Sequence, residues 1–373
     1  MKLSTRCVQL GRGHDAHGAI VPPIYQTSTF EQPTATEFGE YDYTRSGNPT
    51  RALLEDQLAD LEGGAYASAF ASGMAALTAL TRIVKNGEEI IAGDDLYGGT
   101  VRLLDRIASH QNISVRYVDT TNPDELRSVL TDRTRLILIE TPSNPLFRIS
   151  DIRALATIAK NAGVYLAVDN SMLSPIFQQP LSLGADIVVH SATKFLCGHS
   201  DVTAGALITN DPALHQQFAF QQNAEGAGLS PFESWLLLRG LKTLALRVER
   251  QNASAQKIAR FLQSRAEVTQ VFYPGKGAVI SFTTGDEKLS AEIVETTRLF
   301  KIAVSFGSVG STISLPCRMS HASIPAALRD RLAPPADLVR LSVGIEDVDD
   351  LISDLERAFA MNSRQDRLAE AVH

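Results

Sequence analysis

Short apolar runs alternate with segments of helical periodicity between residues 88 and 208, and this alternation constrains the fold more than any other feature. Six runs occur, at 89–92, 115–118, 136–139, 164–168, 187–189 and 204–208. Near-continuous apolar strands separated by helices are typical of a mostly parallel sheet that is covered on both faces. The sequence therefore predicts an α/β fold, in which ligands bind beyond the carboxyl ends of the strands.

The segments on either side of this region have different patterns. Residues 1–48 combine weak periodicity with many turn formers and several aromatic side chains, which favours an arm that contacts a neighbouring subunit over a disordered tail. We expect an α/β domain at 49–235, with a first helix that Thr50 caps, and a smaller α+β domain at 236–373. The elements expected after 231 are a long helical region at 232–264, strands at 279–283, 302–306, 312–315 and 338–343, a final helix at 348–359 and a frayed tail after Met361.

Charge and cysteine usage limit the class of partner. The 373 residues contain 35 Lys and Arg against 42 Asp and Glu, a formal net charge of −7, which argues against nucleic acid or an anionic membrane as the main partner. No apolar run is long enough to span a membrane. The three cysteines lie far apart, and neither they nor the histidines show metal-ligand spacing. We therefore expect a cytoplasmic protein with a small-molecule substrate and no metal site.

Three successive predicted strands end in polar residues that together indicate one kind of cofactor. Asn144 follows the run 136–139, and Asp169 and Lys194 follow the next two runs. Taken alone, a lysine here is usually a solvated surface residue and an aspartate is usually a cap or turn residue. Together they supply an amine that can form a Schiff base with an aldehyde and a carboxylate that can pair with a pyridinium nitrogen. The sequence therefore predicts a pyridoxal 5'-phosphate site at one edge of the sheet.

Two neighbouring features can hold the phosphate of such a cofactor. The hydroxyl groups of Ser191 and Thr193 lie next to Lys194 in the chain. Gly73 and Met74 follow a serine at the start of a predicted helix, where free backbone N–H groups and the positive end of the helix dipole favour an anion. Many helices begin this way, so the helix start is a weak signal by itself.

Four further side chains each have a functional and a structural interpretation. Tyr97 can stack on a flat ring or be a half-buried loop tyrosine. Arg340 lies in an apolar strand and needs an anion, either a substrate carboxylate or a structural ion pair. Tyr43 and Arg45 belong to the predicted arm and are good phosphate ligands. If the arm crosses to a neighbouring subunit, these two complete the neighbour's site; otherwise they form an ordinary surface turn.

Six short motifs together form a specific pattern, namely YTRSGNPTR at 43–51, SGMAA at 72–76, YGG at 97–99, PSNP at 142–145, VDN at 168–170 and SATK at 191–194. This set resembles the Cys/Met-metabolism family of pyridoxal-phosphate enzymes. Its members include cystathionine γ-synthase, cystathionine γ-lyase, cystathionine β-lyase and methionine γ-lyase. The resemblance extends from about Thr5 to Phe359 and implies the fold type I architecture of pyridoxal-phosphate transferases, with a small C-terminal α+β domain.

The resemblance implies a role for each matching position. Lys194 is the Schiff-base lysine and catalytic base, Asp169 pairs the ring nitrogen, and Tyr97 stacks on the ring at the catalytic centre. The implied phosphate ligands are Gly73, Met74, Ser191, Thr193 and, from the adjacent subunit, Tyr43 and Arg45. The implied ligands of the substrate carboxylate are Asn144, Ser305 and Arg340. The implied assembly is a homotetramer of two catalytic dimers.

The resemblance is strongest to plant-type cystathionine β-lyases, in segments 168–175, 225–232, 304–323 and 344–350. It implies β-elimination of L-cystathionine to homocysteine, pyruvate and ammonia, a step of methionine biosynthesis. Val304 stands where the synthase and the γ-lyase typically carry glutamate, which weakens the synthase interpretation. A γ-synthase, a cystathionine or methionine γ-lyase and, remotely, a non-catalytic cofactor-binding protein are the alternatives. The connection at Lys276-Gly277 is shorter than is usual in the family.

Overall fold

The computed structural model describes residues 1–9, 17–322 and 324–370, without the side chains of 109, 326 and 362–370. Positions 10–16 of the predicted arm and Ser323, which closes one segment of the resemblance, lie outside the described residues. No helix of the described part of the chain has the length and apolar character needed to cross a membrane.

The chain divides into two compact units, and each contains segments from several parts of the sequence. The first unit comprises Met1–Gly93, Ile107–Ile139 and Ser150–Ala245. The second comprises Asp94–Arg106, Glu140–Ile149 and Leu246–His373. The short segments that follow two of the strands therefore group with the C-terminal part of the chain.

A seven-stranded sheet forms the centre of the first unit. Its strands are β1 (Tyr66–Phe70), β2 (Glu89–Gly93), β3 (Ser114–Val118), β4 (Thr134–Glu140), β5 (Tyr165–Asp169), β6 (Ile187–His190) and β7 (Gly205–Thr209). The order across the sheet is β1-β7-β6-β5-β4-β2-β3, and β7 runs antiparallel to both of its neighbours. All six predicted strands are present, and the predicted α/β class is confirmed.

Strand β1 was not predicted from the sequence. Its residues are Tyr-Ala-Ser-Ala-Phe, and small side chains without β-branching carry little strand propensity. The strand forms because it pairs along its whole length with β7, from Tyr66 opposite Thr209 to Phe70 opposite Gly205. Tertiary pairing therefore overrides a weak local signal at this edge of the sheet.

Helices follow most strands of the first unit. Those along this part of the chain are α1 (Leu3–Val8), α2 (Pro49–Glu62), α3 (Gly73–Thr81), α4 (Gly98–Gln111), α5 (Pro123–Val129), α6 (Ile152–Ala162), α7 (Ser174–Phe177), α8 (Pro212–Ala224) and α9 (Pro231–Leu241). Leu155 and Ile158 of α6 belong to a buried cluster with Ile137 and Leu166 of the sheet. This packing covers the strands with apolar side chains, as their composition predicts.

The prediction that Thr50 caps the first long helix is wrong by two positions. Asn48 is the N-cap of α2, and its side chain accepts hydrogen bonds from the backbone N–H groups of Thr50 and Arg51. Pro49 occupies the first helical position, where its missing N–H costs no hydrogen bond. The Thr50 hydroxyl instead accepts from the backbone N–H of Tyr25 at 3.0 Å, which ties the N-terminal segment to the helix.

The second unit contains a smaller five-stranded sheet with helices. Its strands are β8 (Gln270–Phe272), β9 (Val279–Thr283), β10 (Lys301–Ile302), β11 (Thr312–Ser314) and β12 (Val339–Ser342), in the order β10-β11-β12-β9-β8. The helices of this part of the chain are α10 (Leu244–Gln263), α11 (Glu287–Thr296), α12 (Ala326–Leu332) and α13 (Val348–Glu370). Phe282, Phe300, Leu341 and Phe359 are buried in one core cluster between them.

Three predictions for the part of the chain after residue 231 need correction. The long helical region is two helices, α9 and α10, because the chain turns between Leu241 and Leu244. The strand expected at 302–306 stops at Ile302, and Ser305 has a φ of +87°, which no strand residue adopts. The tail after Met361 is helical, since α13 continues to Glu370.

Candidate active site

Strands β4, β5 and β6 are neighbours in the sheet, and the parallel β5–β6 register pairs Asp169 with Val189. Asp169 is the last residue of β5, and His190 is the last residue of β6. The segment that carries Lys194 begins directly after His190. The carboxyl ends of β5 and β6 thus bring two of the predicted residues to the same edge of the first unit.

Asp169 lies in an electrostatic environment that two cations influence. Burial raises the pKa of this carboxyl, while hydrogen bonds from Ser171 and the charges of His190 and Lys194 lower it, with a net increase. The backbone N–H of Ser171 donates to Asp169 Oδ1 at 2.9 Å. The charge of Lys194 thus acts on the carboxyl of Asp169.

Three of the predicted phosphate ligands, Gly73, Met74 and Ser191, meet at the start of α3. Ser72 caps this helix by accepting from the N–H of Ala75 at 3.1 Å, so the N–H groups of Gly73 and Met74 have no acceptor within the helix. A Cβ placed on Gly73 would lie 2.9 Å from Ser191 Cβ and 3.0 Å from Ser191 Oγ. The helix start and Ser191 are therefore in direct contact, and only glycine leaves this space open.

Thr193 is placed differently from Ser191. Its hydroxyl donates to the carbonyl of Ala204 at 3.1 Å and accepts from the N–H of Ala204 at 2.9 Å. Those two bonds fix the loop that carries Lys194. The hydroxyl of Thr193 is thus engaged with the backbone in this structure.

The second unit brings together three residues that were predicted to bind a substrate carboxylate. Arg340 of β12 is 2% exposed, and its Nη1 donates to Asn144 Oδ1 at 2.8 Å. Its Nη2 donates to the backbone carbonyl of Ser305 at 3.2 Å. Both acceptors are neutral oxygens, so they orient the guanidinium without cancelling its charge.

Burial lowers the pKa of Arg340 to about 10, although Glu140 and Tyr97 oppose that decrease. A buried cation of this kind is stabilised by an anion that arrives with suitable geometry. The planar fork of arginine suits a carboxylate in particular. The cluster of Arg340, Asn144 and Ser305 is therefore chemically competent to bind a carboxylate.

Tyr97 packs against a histidine for which the sequence shows no metal-ligand spacing. The rings of Tyr97 and His321 meet edge to face with centroids 6.3 Å apart. His321 Nε2 donates to the carbonyl of Asn144 at 3.2 Å, and Nδ1 lies 2.9 Å from Ser320 Oγ. Burial and the charge of Arg340 lower the pKa of His321 to about 4. A neutral His321 thus connects the tyrosine to the carboxylate cluster, and an isolated histidine far along the chain gives no sequence signal for this.

Tyr43 and Arg45 lie on the surface of the first unit. The Arg45 guanidinium is 5.4 Å from the centroid of the Tyr43 ring, and Arg45 Nε donates to Asn223 Oδ1 at 3.2 Å. Tyr43 is 41% exposed. The two side chains are therefore adjacent to each other and accessible from outside the chain.

Comparison with known proteins identifies the family. A family model described as Cys/Met metabolism PLP-dependent enzyme matches residues 4–360. The chain belongs to this family. The match covers both compact units, so the fold, the pyridoxal-phosphate cofactor and membership of this enzyme class apply to the whole protein.

Individual members of the Cys/Met-metabolism family are similar along nearly the whole chain. The chloroplastic cystathionine beta-lyase of Arabidopsis thaliana is 52% identical, over 96% of this chain and 80% of its own length. The cystathionine beta-lyase of Neurospora crassa is 50% identical, over 92% of this chain and 79% of its own. The structure of a cystathionine gamma synthase from Xanthomonas oryzae in complex with cystathionine has a TM-score of 0.94 and 40% identity, covering 96% of this chain and 98% of that one.

The residues of the first unit fit the cofactor of this family. The aldehyde of pyridoxal phosphate requires an amine, its pyridine nitrogen requires a buried carboxylate, and its phosphate requires donors such as those at a helix start. The open space beside Gly73 is a specific feature, because any larger side chain would fill the position next to Ser191. This chain therefore has the donor set that the Cys/Met-metabolism family needs.

Proposed function

We propose that the protein is a cystathionine β-lyase, which cleaves L-cystathionine into homocysteine, pyruvate and ammonia. The observation that carries the proposal is the position of Asp169 and Lys194 at and just after the ends of two adjacent strands, in a chain about half identical to two cystathionine beta-lyases. Val304 supports β- over γ-chemistry, because the γ-acting relatives typically carry glutamate there. Its apolar side chain is 57% exposed and offers no group that can move a proton.

Lys194 acts as the base of the proposed reaction. When bound, pyridoxal phosphate supplies an electron sink for the negative charge that develops at the substrate Cα. Lys194 would remove the Cα proton, after which a double bond forms between Cα and Cβ, the bond between Cβ and sulfur breaks, and the sulfur leaves as homocysteine thiolate, which takes a proton from water. Water then converts the remaining three-carbon fragment to pyruvate and ammonia. Asp169 stabilises the protonated ring nitrogen and so favours the first of these steps.

The phosphate of the cofactor would be held by groups of the first unit. Gly73, Met74 and Ser191 would donate to the phosphate, with Thr193 supporting the loop that positions Lys194. Tyr97 would stack on the ring, and its edge contact with His321 fixes the plane of its own ring. The ring of Tyr97 is 39% exposed, which leaves surface for such stacking.

Arg340 would hold the α-carboxylate of the substrate, with Asn144 and Ser305 setting the direction of its guanidinium. Because these contacts are made in the ground state as well as in the transition state, they should act mainly on substrate affinity. This division assigns proton transfer to Lys194 and recognition to the Arg340 cluster.

The proposed assembly is a homotetramer of two catalytic dimers. Tyr43 and Arg45 are adjacent and accessible, which suits side chains that complete the phosphate site of a neighbouring subunit from the N-terminal arm. We propose a cytoplasmic location, although one similar plant protein is chloroplastic by name.

A product assay tests the function. Purified protein loaded with pyridoxal phosphate is incubated with L-cystathionine, and the keto acid and the thiol are identified separately. The β-lyase produces pyruvate with homocysteine in equal amounts, and the Lys194→Ala variant serves as the control for non-enzymatic release. Formation of 2-oxobutyrate with cysteine would instead assign a γ-lyase.

A γ-replacement activity is the second candidate, because the cystathionine gamma synthase of Xanthomonas oryzae shares 40% of its residues over almost the entire chain. Cystathionine synthesis from cysteine and an activated homoserine would identify it. A protein that binds the cofactor without catalysis is the third alternative. It would show the visible imine band, removable by borohydride, and no turnover of any of these substrates.

A further inference from the structure

Glu62 and His190 form a buried hydrogen-bonded pair directly beneath the strand ends of the first unit. Glu62 ends α2 and His190 ends β6, and they are 2% and 1% exposed. His190 Nε2 lies 2.5 Å from Glu62 Oε1, the short distance expected of a charge-assisted hydrogen bond. The roles proposed above give this pair no function.

The same pair is bonded to the residue that follows Asp169. Glu62 Oε1 also accepts from Asn170 Nδ2 at 2.8 Å, and the backbone N–H of Asn170 donates to the carbonyl of Val189 at 2.9 Å. Glu62 therefore contacts the end of β5 through Asn170 and the end of β6 through His190. Asp169 and Ser191 are the immediate chain neighbours of these two contacts.

The pair is an unfavourable way to stabilise a core. Within the described residues, Glu62 Oε2 and His190 Nδ1 are buried without a hydrogen-bond partner. Incompletely bonded buried charges usually stabilise a fold less than apolar side chains of the same volume. Close packing alone therefore does not account for a carboxylate and an imidazole at these positions.

An apolar pair at these two positions could not place a charge near Asp169. The positive charge of His190 lowers the pKa of Asp169, in the same direction as that of Lys194 and against the effect of burial. Glu62 from α2 is hydrogen-bonded to the ring of His190, and the charges of His190 and of Lys194, from the segment after β6, both act on Asp169 of β5. Glu62 therefore fixes the position of the ring whose charge favours the Asp169 carboxylate.

We propose that Glu62 and His190 are positioning residues that hold the Asp169 carboxylate ionised and aligned toward the pyridine nitrogen of the cofactor. The proposal rests on the role given to Asp169 under the proposed function. The pair acts through Asp169 and touches neither substrate nor cofactor.

The test compares Glu62→Gln and His190→Gln with the wild-type holoenzyme. Glutamine at 190 keeps an N–H donor for Glu62 and removes the charge of the ring, while glutamine at 62 keeps the shape of the side chain. Glu55→Gln is the matched control, because Glu55 is also on α2 and accepts from Ala69 N and Gln222 Nε2, both at 2.8 Å. The pH midpoint of the visible absorption band of the bound cofactor is measured without substrate, and kcat and KM are then measured separately.

We expect both variants to move the midpoint by about one pH unit in the same direction, since each removes one member of the hydrogen-bonded pair. We expect kcat to fall roughly 10-fold with KM changed less than about 3-fold, because the pair tunes the electron sink and not substrate affinity. The double variant should shift the midpoint no further than His190→Gln alone, since the pair acts as one unit. Glu55→Gln should match the wild type in both measurements.

A folded Glu62→Gln or His190→Gln enzyme with the wild-type midpoint would overturn the proposal, as would an equal shift in Glu55→Gln. His190→Asn is a second neutral variant with a smaller side chain, for use if glutamine prevents folding. The titration requires only bound cofactor. It therefore reports on the pair even if product analysis assigns a different reaction to the protein.

Discussion

Replacement of Gly73 by alanine is the most specific perturbation of the proposed phosphate site, where the start of α3 contacts Ser191. The new Cβ would lie 2.9 Å from Ser191 Cβ and 3.0 Å from both Cα and Oγ of Ser191. Carbon atoms pack at about 3.5 Å or more, so α3 and Ser191 must separate by roughly 0.5 Å. A misplacement of about 1 Å costs on the order of 100-fold in a preorganised site. Half that displacement should weaken cofactor binding roughly 10-fold, or about 1.4 kcal/mol.

The assay is reconstitution of the apoenzyme with pyridoxal phosphate, followed by its visible absorption to obtain Kd. Gly310→Ala is the matched control, because a Cβ at Gly310 meets no atom within 4 Å. Alanine also favours the helix by up to about 1 kcal/mol over glycine, so the fold itself should keep its thermal stability. A Kd for Gly73→Ala within about 2-fold of the Gly310→Ala value would refute the argument that the helix start and Ser191 jointly hold the phosphate.

Three further predictions concern single residues. Lys194→Ala should abolish turnover and the visible imine band, and steady-state lyase activity in this variant would contradict its assignment as base. Arg340→Lys should raise KM about 100-fold with a smaller change in kcat, because a lysine cannot donate to both Asn144 and Ser305 while binding a carboxylate; an unchanged KM in initial-rate measurements would contradict the carboxylate role. The pKa of His321 is about 4 in the folded protein and 6.5 in the unfolded chain. The unfolded chain therefore binds the proton at higher pH than the folded protein does. The free energy of unfolding should fall by about 3 kcal/mol as pH decreases from about 6.5 to 4. Urea unfolding at several pH values should show that His321→Gln loses this slope, and an equal slope in both proteins would count against a buried neutral imidazole.

The main sheet of the first unit was predictable because its strands are buried on both faces. Such strands must be apolar along their length, and that requirement is visible in any window of sequence. The same reasoning located Asp169 and Lys194, since polar residues directly after buried strands gather at one edge. The sequence does not predict β1, because its alanines and serine acquire their strand conformation from pairing with β7.

Contacts between distant parts of the chain account for the rest of what the sequence did not reveal. Glu62 and His190 are 128 positions apart, and the residues next to them in the sequence give no indication that the two are in contact. The same holds for Asn144 and His321, which are 177 positions apart. The grouping of Glu140–Ile149 with the C-terminal part of the chain depends on such contacts too. Local periodicity and spacing carry no information about these pairs, so they appear only once the chain is folded.

The N-cap of α2 shows that the sequence can predict a helix and still misplace its first residue. Asn48 and Thr50 are both good N-cap residues, and they lie two positions apart on either side of Pro49. Proline at the first helical position selects Asn48, because the preceding residue is held in the extended conformation that an N-cap needs. Thr50 is left to bond with the N-terminal segment.

The central claim is that the bond broken in cystathionine is the one between sulfur and the Cβ that adjoins the Cα from which Lys194 removes a proton. The most direct test is the ratio of pyruvate to 2-oxobutyrate that the wild-type holoenzyme releases from L-cystathionine under initial-rate conditions. The account predicts pyruvate as the dominant keto acid, with one homocysteine thiol for each pyruvate. A predominance of 2-oxobutyrate, with cysteine as the thiol, would contradict it.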